Sequence, residues 1–176
     1  MEDILAVATT MLSATPQRWT SLAATTPEAL LERAPASGEW SAKACLGHLL
    51  DAERFVFPRR VRAFLAGRDL QNFDPDSEST SPAHRTTAAM AAEFARLRAA
   101  SIAELAGVKD ADLARTARHS ALGEVTLTEL IHEWVAHDLN HTVQAERAMM
   151  QPFIAACGSW RGFFADHIAK SPTPEA

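Results

Sequence analysis

Apolar positions along the chain recur at steps of three and four rather than two. Between Asp3 and about Thr25, residues Leu5, Leu12, Trp19 and Leu22 fall near one face, which is the spacing of an amphipathic helix. Thr26–Leu31 reads as a turn or helical step, followed by a loop through Pro35–Gly38. Ser41 is placed to cap a second helix, and Trp40 before it can pack back against that helix. Leu46, Leu49, Leu50, Phe55, Val56, Val61, Phe64 and Leu65 carry the pattern to Gly67. Pro58 inside this span predicts a kink or break near Phe57.

A polar stretch from Gln71 to Pro82 follows. A loop of that length in a compact domain is either disordered or functional. The third helix is expected from about Thr86 to Ala106, with Met90, Phe94, Leu97, Ile102 and Leu105 on its apolar side. After Gly107 comes a connector holding Leu113, His119 and Leu122–Val125. Thr126 with Glu129 three residues later forms a capping box, the start of a fourth helix. That helix is expected to end near Met150, and Pro152 to open a last helix containing Phe153, Ile154, Trp160, Phe163 and Phe164. No set of alternating runs predicts a sheet. The expected fold is all-α: a four-helix bundle with one long crossover and a short C-terminal helix. Residues 1–170 read as a single domain and 171–176 as a frayed tail.

Composition narrows the function classes. With 176 residues, 47% hydrophobic and 22% charged, the chain is neither a disordered tail nor a coiled-coil rod. The formal net charge is −5, and Arg54–Arg62 is the single basic stretch, so nucleic acid is not an expected partner. Two cysteines, Cys45 and Cys157, cannot build a disulfide framework. Met1-Glu2-Asp3 lacks the basic start of a secretory signal, and no apolar run reaches the roughly 18 residues a membrane span needs. The expectation is a cytoplasmic protein with no membrane partner.

The fourth helix carries the chemical signal. Its core-facing positions run Leu127, Leu130, Ile131, Trp134, His137, His141, Ala145 and Ala148, with two histidines where leucine is expected. Side chains at i and i+4 lie about 5–6 Å apart at Cβ, so both rings can reach one ion. The pair alone is weak evidence, because about 0.3 such pairs arise by chance at this histidine content. Two core histidines hydrogen-bonded across the bundle would look the same. A metal site needs a third ligand, and His48, among apolar residues of the second helix, is the best candidate. Taken alone, it reads more readily as a half-buried structural histidine. His132 lies off the face of His137, and His84 and His167 have no partner in the pattern. His119 either reaches the mouth of the site or caps a turn.

Trp40-Ser41, His48-Leu49, Gly123-x-Val125-Thr126-Leu127-x-x-Leu130 and Trp134-x-x-His137-Asp138-x-x-His141, with the trailing Gly158-Ser159-Trp160-Arg161, together resemble the DinB-like superfamily over nearly the whole chain. The resemblance implies an up-down-down-up four-helix bundle, a homodimer, and a divalent metal held by three histidines, which match His48, His137 and His141. It also implies relatives that include bacillithiol and mycothiol S-transferases and thiol-dependent isomerases.

Three neutral ligands leave an ion its full charge and open coordination positions, the arrangement of a catalytic site. Zinc is the expected ion, with nickel, iron and manganese as alternatives. Such an ion lowers the pKa of a bound thiol or water. The first expectation is therefore transfer of a low-molecular-weight thiol to an electrophilic substrate. The second is metal-dependent hydrolysis, and the third a non-catalytic, metal-stabilised dimeric bundle. Asp51, Glu133 and Asp138 could orient the rings or be solvated charges. Cys45 could join the ligands or be a small core residue. The catalytic residues themselves are not identifiable from sequence, and the segment 67–85 could cover a substrate pocket.

Overall fold

The computed structural model describes residues 3–70 and 84–169. The helices are α1 (Ile4–Thr25), α2 (Glu28–Leu31), α3 (Ala42–Phe55), α4 (Phe57–Leu65), α5 (Thr87–Leu105) and α6 (Leu127–Ala156). The polar stretch Gln71–Pro82 and the tail 171–176 lie outside the described residues. No helix among the described residues is long and apolar enough to cross a membrane.

Local chemistry sets most helix ends. The Asp3 carboxylate accepts from the Leu5 and Ala6 N–H groups at the start of α1. The Ser41 hydroxyl accepts from the Ala44 N–H at the start of α3, and Thr86 caps α5. Each satisfies a donor that the first helical turn leaves free. Thr126 and Glu129 make the full reciprocal box at the start of α6. The break expected near Phe57 falls at Val56, whose φ/ψ of −112/−81 leave the helical region. Pro58 then sits in the first turn of α4, where its missing N–H costs nothing. Gly67, at φ +62, closes α4 in the left-handed conformation open to glycine.

α1 and α3 each pack against both α5 and α6, so the four long helices form a bundle. Arg54 pairs with Glu93 and Arg62 with Glu104, so the α3–α4 arm runs parallel to α5. Trp40 meets His141 while Phe57 meets Trp134, so that arm runs antiparallel to α6. The core has two apolar clusters. One holds Leu12, Phe57, Phe64, Leu127, Ile131 and Trp134; the other holds Trp19, Leu31, Leu46, Leu49, Met90 and Phe94. α1 feeds the first from its N-terminal half and the second from its C-terminal half. This is the up-down-down-up four-helix bundle.

Three expectations are corrected. A small antiparallel sheet pairs β1 (Thr116–His119) with β2 (Gly123–Thr126), where the pattern predicted only a connector. Ala117 is the one fully buried residue of the two strands, so no alternation could be read from them. α6 does not end near Met150: it runs through Pro152 to Ala156, with Ile154 buried beyond the proline. The closing element is a 3-10 helix, Gly158–His167, with no buried residue. On α5 the buried polar positions are Thr87, Arg98 and Ser101, whereas Leu97 and Ile102 are only partly buried.

Candidate metal centre

His48 stands mid-way along α3, and His137 and His141 stand one turn apart in the middle of α6. The buried stripe of α6 runs Leu130, Ile131, Trp134 on one side of them and Ala145, Ala148 on the other. The histidines interrupt an otherwise apolar face where α6 crosses α3. His48 Nε2 lies 2.9 Å from His137 Nε2, and one nitrogen from each of the three rings lies within 4.8 Å of the other two.

The surroundings hold the rings in place. Phe57 meets His137 edge-on at 5.1 Å and stacks on Trp134 at 5.1 Å. Trp40 lies nearly parallel to His141 at 5.6 Å and tilts against His48 at 4.9 Å. Trp40 is 38% exposed, so it forms the wall of the cluster that faces solvent. The Gln144 Oε1 lies 2.9 Å from His141 Nδ1. An amide oxygen only accepts, so Nδ1 carries the proton and Nε2 keeps its lone pair.

Burial disfavours protonation throughout the cluster. It pushes His48 down to about 4, helped by His141 and opposed by Asp51. It pushes His137 down to about 3, helped by His141, His48, Arg98 and Arg60. His141 is also lowered by burial, against the pull of Gln144 and Asp138. All three rings are therefore neutral at pH 7 with lone pairs available.

The donor set fits a divalent ion. Tetrahedral zinc with nitrogen ligands at 2.0–2.1 Å sets its donors roughly 3.3 Å apart, inside the range found here. Two imidazole nitrogens at 2.9 Å need a proton or a cation between them, and His137 Nδ1 is buried without a hydrogen-bond partner among the described residues.

The other candidates fall outside this cluster. Cys45 is buried in the second core cluster, and burial pushes its thiol up to about 12; it packs as a small core residue. Asp138 is buried, not solvated, and binds the Arg98 guanidinium at 2.6 and 3.1 Å. Asp51 is buried and accepts from Arg54 at 3.2 Å. Glu133 is more than half exposed and 3.9 Å from Arg60. His84, His132 and His167 are exposed. His119 sits on β1, its Nδ1 accepting from the Ala121 N–H.

Two features escaped the sequence reading. Trp40 packs back on His48 of the helix it precedes, as expected, and also covers His141 of α6, which the sequence did not show. Arg98, buried on α5, binds Glu53, Asp138 and the Leu12 carbonyl at 2.6–3.1 Å. Its signal was the run Met90, Phe94, Arg98, Ser101, Leu105, an uninterrupted helical stripe with a charge in the middle.

A bundle with a three-histidine cluster built across facing helices defines a class of helical proteins with metal-site geometry. Within that class, the chain belongs to the DinB superfamily, whose family model matches residues 11–145. Among solved structures it is similar to YfiT from Bacillus subtilis, with 16% identity and a TM-score of 0.76. The match covers 87% of this chain and 89% of that one, and it shows the shared bundle topology. That protein is described as "a probable metal-dependent hydrolase with an unusual four-helix bundle topology". No curated protein matches the chain.

Proposed function

We propose that the protein is a divalent-metal enzyme in which His48, His137 and His141 hold the ion and a low-molecular-weight thiol is transferred to an electrophilic substrate. The observation that carries this reading is the set of three neutral imidazoles, from two antiparallel helices, within 4.8 Å of one another. A bound divalent ion supplies a Lewis acid that makes a thiol or water acidic enough to ionise near pH 7. Zinc suits the nitrogen donors, with nickel, iron and manganese as alternatives. The chain's own part is to hold and orient. Gln144 fixes the His141 tautomer, Phe57 and Trp40 fix the ring planes, and Trp40 borders the open side.

Thiol transfer is preferred to hydrolysis on one ground. Hydrolysis usually calls on a general base, and the nearby carboxylates are engaged elsewhere. Asp138 is committed to Arg98, Asp51 to Arg54, and Glu133 lies out at the surface. The hydrolase reading stays as the second one because of the description given to YfiT. A metal-stabilised bundle without catalysis is the third. A homodimer is part of the proposal and rests on the family resemblance.

The test uses zinc-loaded protein with a panel of cellular thiols and an aryl halide. Metal-dependent conjugation is expected. His137→Ala and His141→Ala should each lose both the ion, by elemental analysis, and the activity, with helical circular dichroism largely retained. Full metal content in both variants refutes the ligand assignment. Metal-dependent ester or amide cleavage without conjugation selects hydrolysis, and a lowered melting temperature on metal removal with neither activity selects the structural role.

A further inference from the structure

A cavity of about 230 Å³ opens beside α6, one turn before His137, with walls formed by Leu70, Leu122, Val125 and Leu130. It is smaller than the roughly 300 Å³ at which pockets for drug-sized ligands begin, so it fits a short chain or a single ring. The metal centre makes no use of it. Its polar member of interest is Arg60, one turn beyond Phe57 on α4, and Phe57 is the residue that meets His137 edge-on.

The Arg60 side chain is mostly withdrawn from water, and among the described residues no carboxylate lies within hydrogen-bond distance of it. Its side chain is 14% exposed, and the nearest carboxylate, Glu133, is 3.9 Å away and mostly in solvent. Its Nε is buried with no partner among the described residues. Glu129, also on the cavity wall, is committed to the Thr126 N–H and hydroxyl at 2.6 and 2.8 Å. The remaining neighbour is His119, whose Nε2 stands 3.4 Å from Arg60 Nη2. His119 Nδ1 accepts the Ala121 N–H, so in the neutral ring Nε2 carries the proton. Two donors therefore face each other with no acceptor between them. Arg98, which is fully buried where Arg60 is only partly so, has two carboxylates and a carbonyl at 2.6–3.1 Å. Folding can satisfy a buried cation in this protein, and at Arg60 it has not. A largely buried charge without a close partner is costly and is a mark of a ligand's place.

We propose that this cavity binds an organic carboxylate with an apolar body, Arg60 and His119 Nε2–H holding the carboxylate and the aliphatic walls holding the rest. Resting on the metal reading above, the site then delivers such a substrate to the His137 side of the centre.

Binding is measured on the full-length, EDTA-treated protein, so that its failure leaves the metal assignment standing and a failed metal assignment leaves it standing. The probes are hexanoate and its uncharged counterpart hexan-1-ol, followed by NMR titration. Hexanoate should bind at least about tenfold more tightly and shift the Arg60 Nε–H resonance, with hexan-1-ol leaving that resonance in place. Arg60→Met should abolish the preference, and Glu133→Gln should strengthen it by removing the competing carboxylate. Equal binding of the two probes, an unmoved Arg60 signal in the wild type, or a preference that survives in Arg60→Met overturns the proposal.

Discussion

At the residue scale, the histidines are set apart by the proton they refuse. In the unfolded chain each titrates near 6.5, while in the fold burial holds His48 near 4 and His137 near 3, with His141 lowered too. Above pH 6.5 the rings are neutral in both states and contribute no pH dependence. As pH falls below 6.5 the unfolded chain takes up protons that the fold resists, so stability declines, and the decline from these groups ends near pH 3–4. Urea unfolding of the metal-free protein should show this loss between pH 6.5 and 4. A His48→Gln/His137→Gln variant should have a flatter profile over the same interval; equal slopes would mean that the rings do not govern it.

At the element scale, α5 and α6 are tied by a charge cluster that replaces hydrophobic contact. Arg98 lies over the rings of Phe94 and Trp134 and joins Glu53 of α3, the Leu12 carbonyl of α1 and Asp138 of α6. All four long helices meet at this one guanidinium. Asp138→Ala leaves it buried with half its hydrogen bonds, so a loss of about 3–5 kcal/mol is expected in denaturant unfolding. Replacing Arg98 by Met and Glu53 by Leu in the same chain should recover most of that loss, because the uncompensated charges go together. A single-variant cost below about 1 kcal/mol would show the cluster to be solvent-relaxed. Asp138 neighbours a ligand-type histidine in sequence, and its job is to hold α6 in register so that His137 and His141 face α3.

At the scale of the whole molecule, the cluster joins residues 89 apart in sequence. An ion bound there and not to the unfolded chain stabilises the fold by about 2.7 kcal/mol at a hundredfold excess over its dissociation constant. For a chain of this size that corresponds to a melting-temperature rise of roughly 5–10 °C. Thermal scans with zinc and with EDTA should differ by that amount in the wild type and coincide in His141→Ala. The same bundle leaves Trp40 half-exposed over the rings, while the cavity at Arg60 opens one turn away. Access and positioning thus come from different helices.

The bundle was legible in the sequence because helix formation is local: caps at Ser41 and Thr126, proline at 58 and apolar steps of three and four act within a few residues. His137 and His141 were legible for the same reason, being one turn apart on one helix. His48 stood out only as a candidate among apolar residues of its helix, and family resemblance joined it to the pair, since convergence of α3 on α6 is a tertiary fact. The hairpin was not legible because its strands are four residues long and bury almost nothing. Proline at 152 misled because tertiary anchoring of Ile154 outweighs one lost backbone bond. Arg98, Asp138, Asp51 and Arg60 read as ordinary surface charges until packing removed the water around them. Whether a buried charge finds a partner is decided by which helices meet, and that is settled only when the chain is folded.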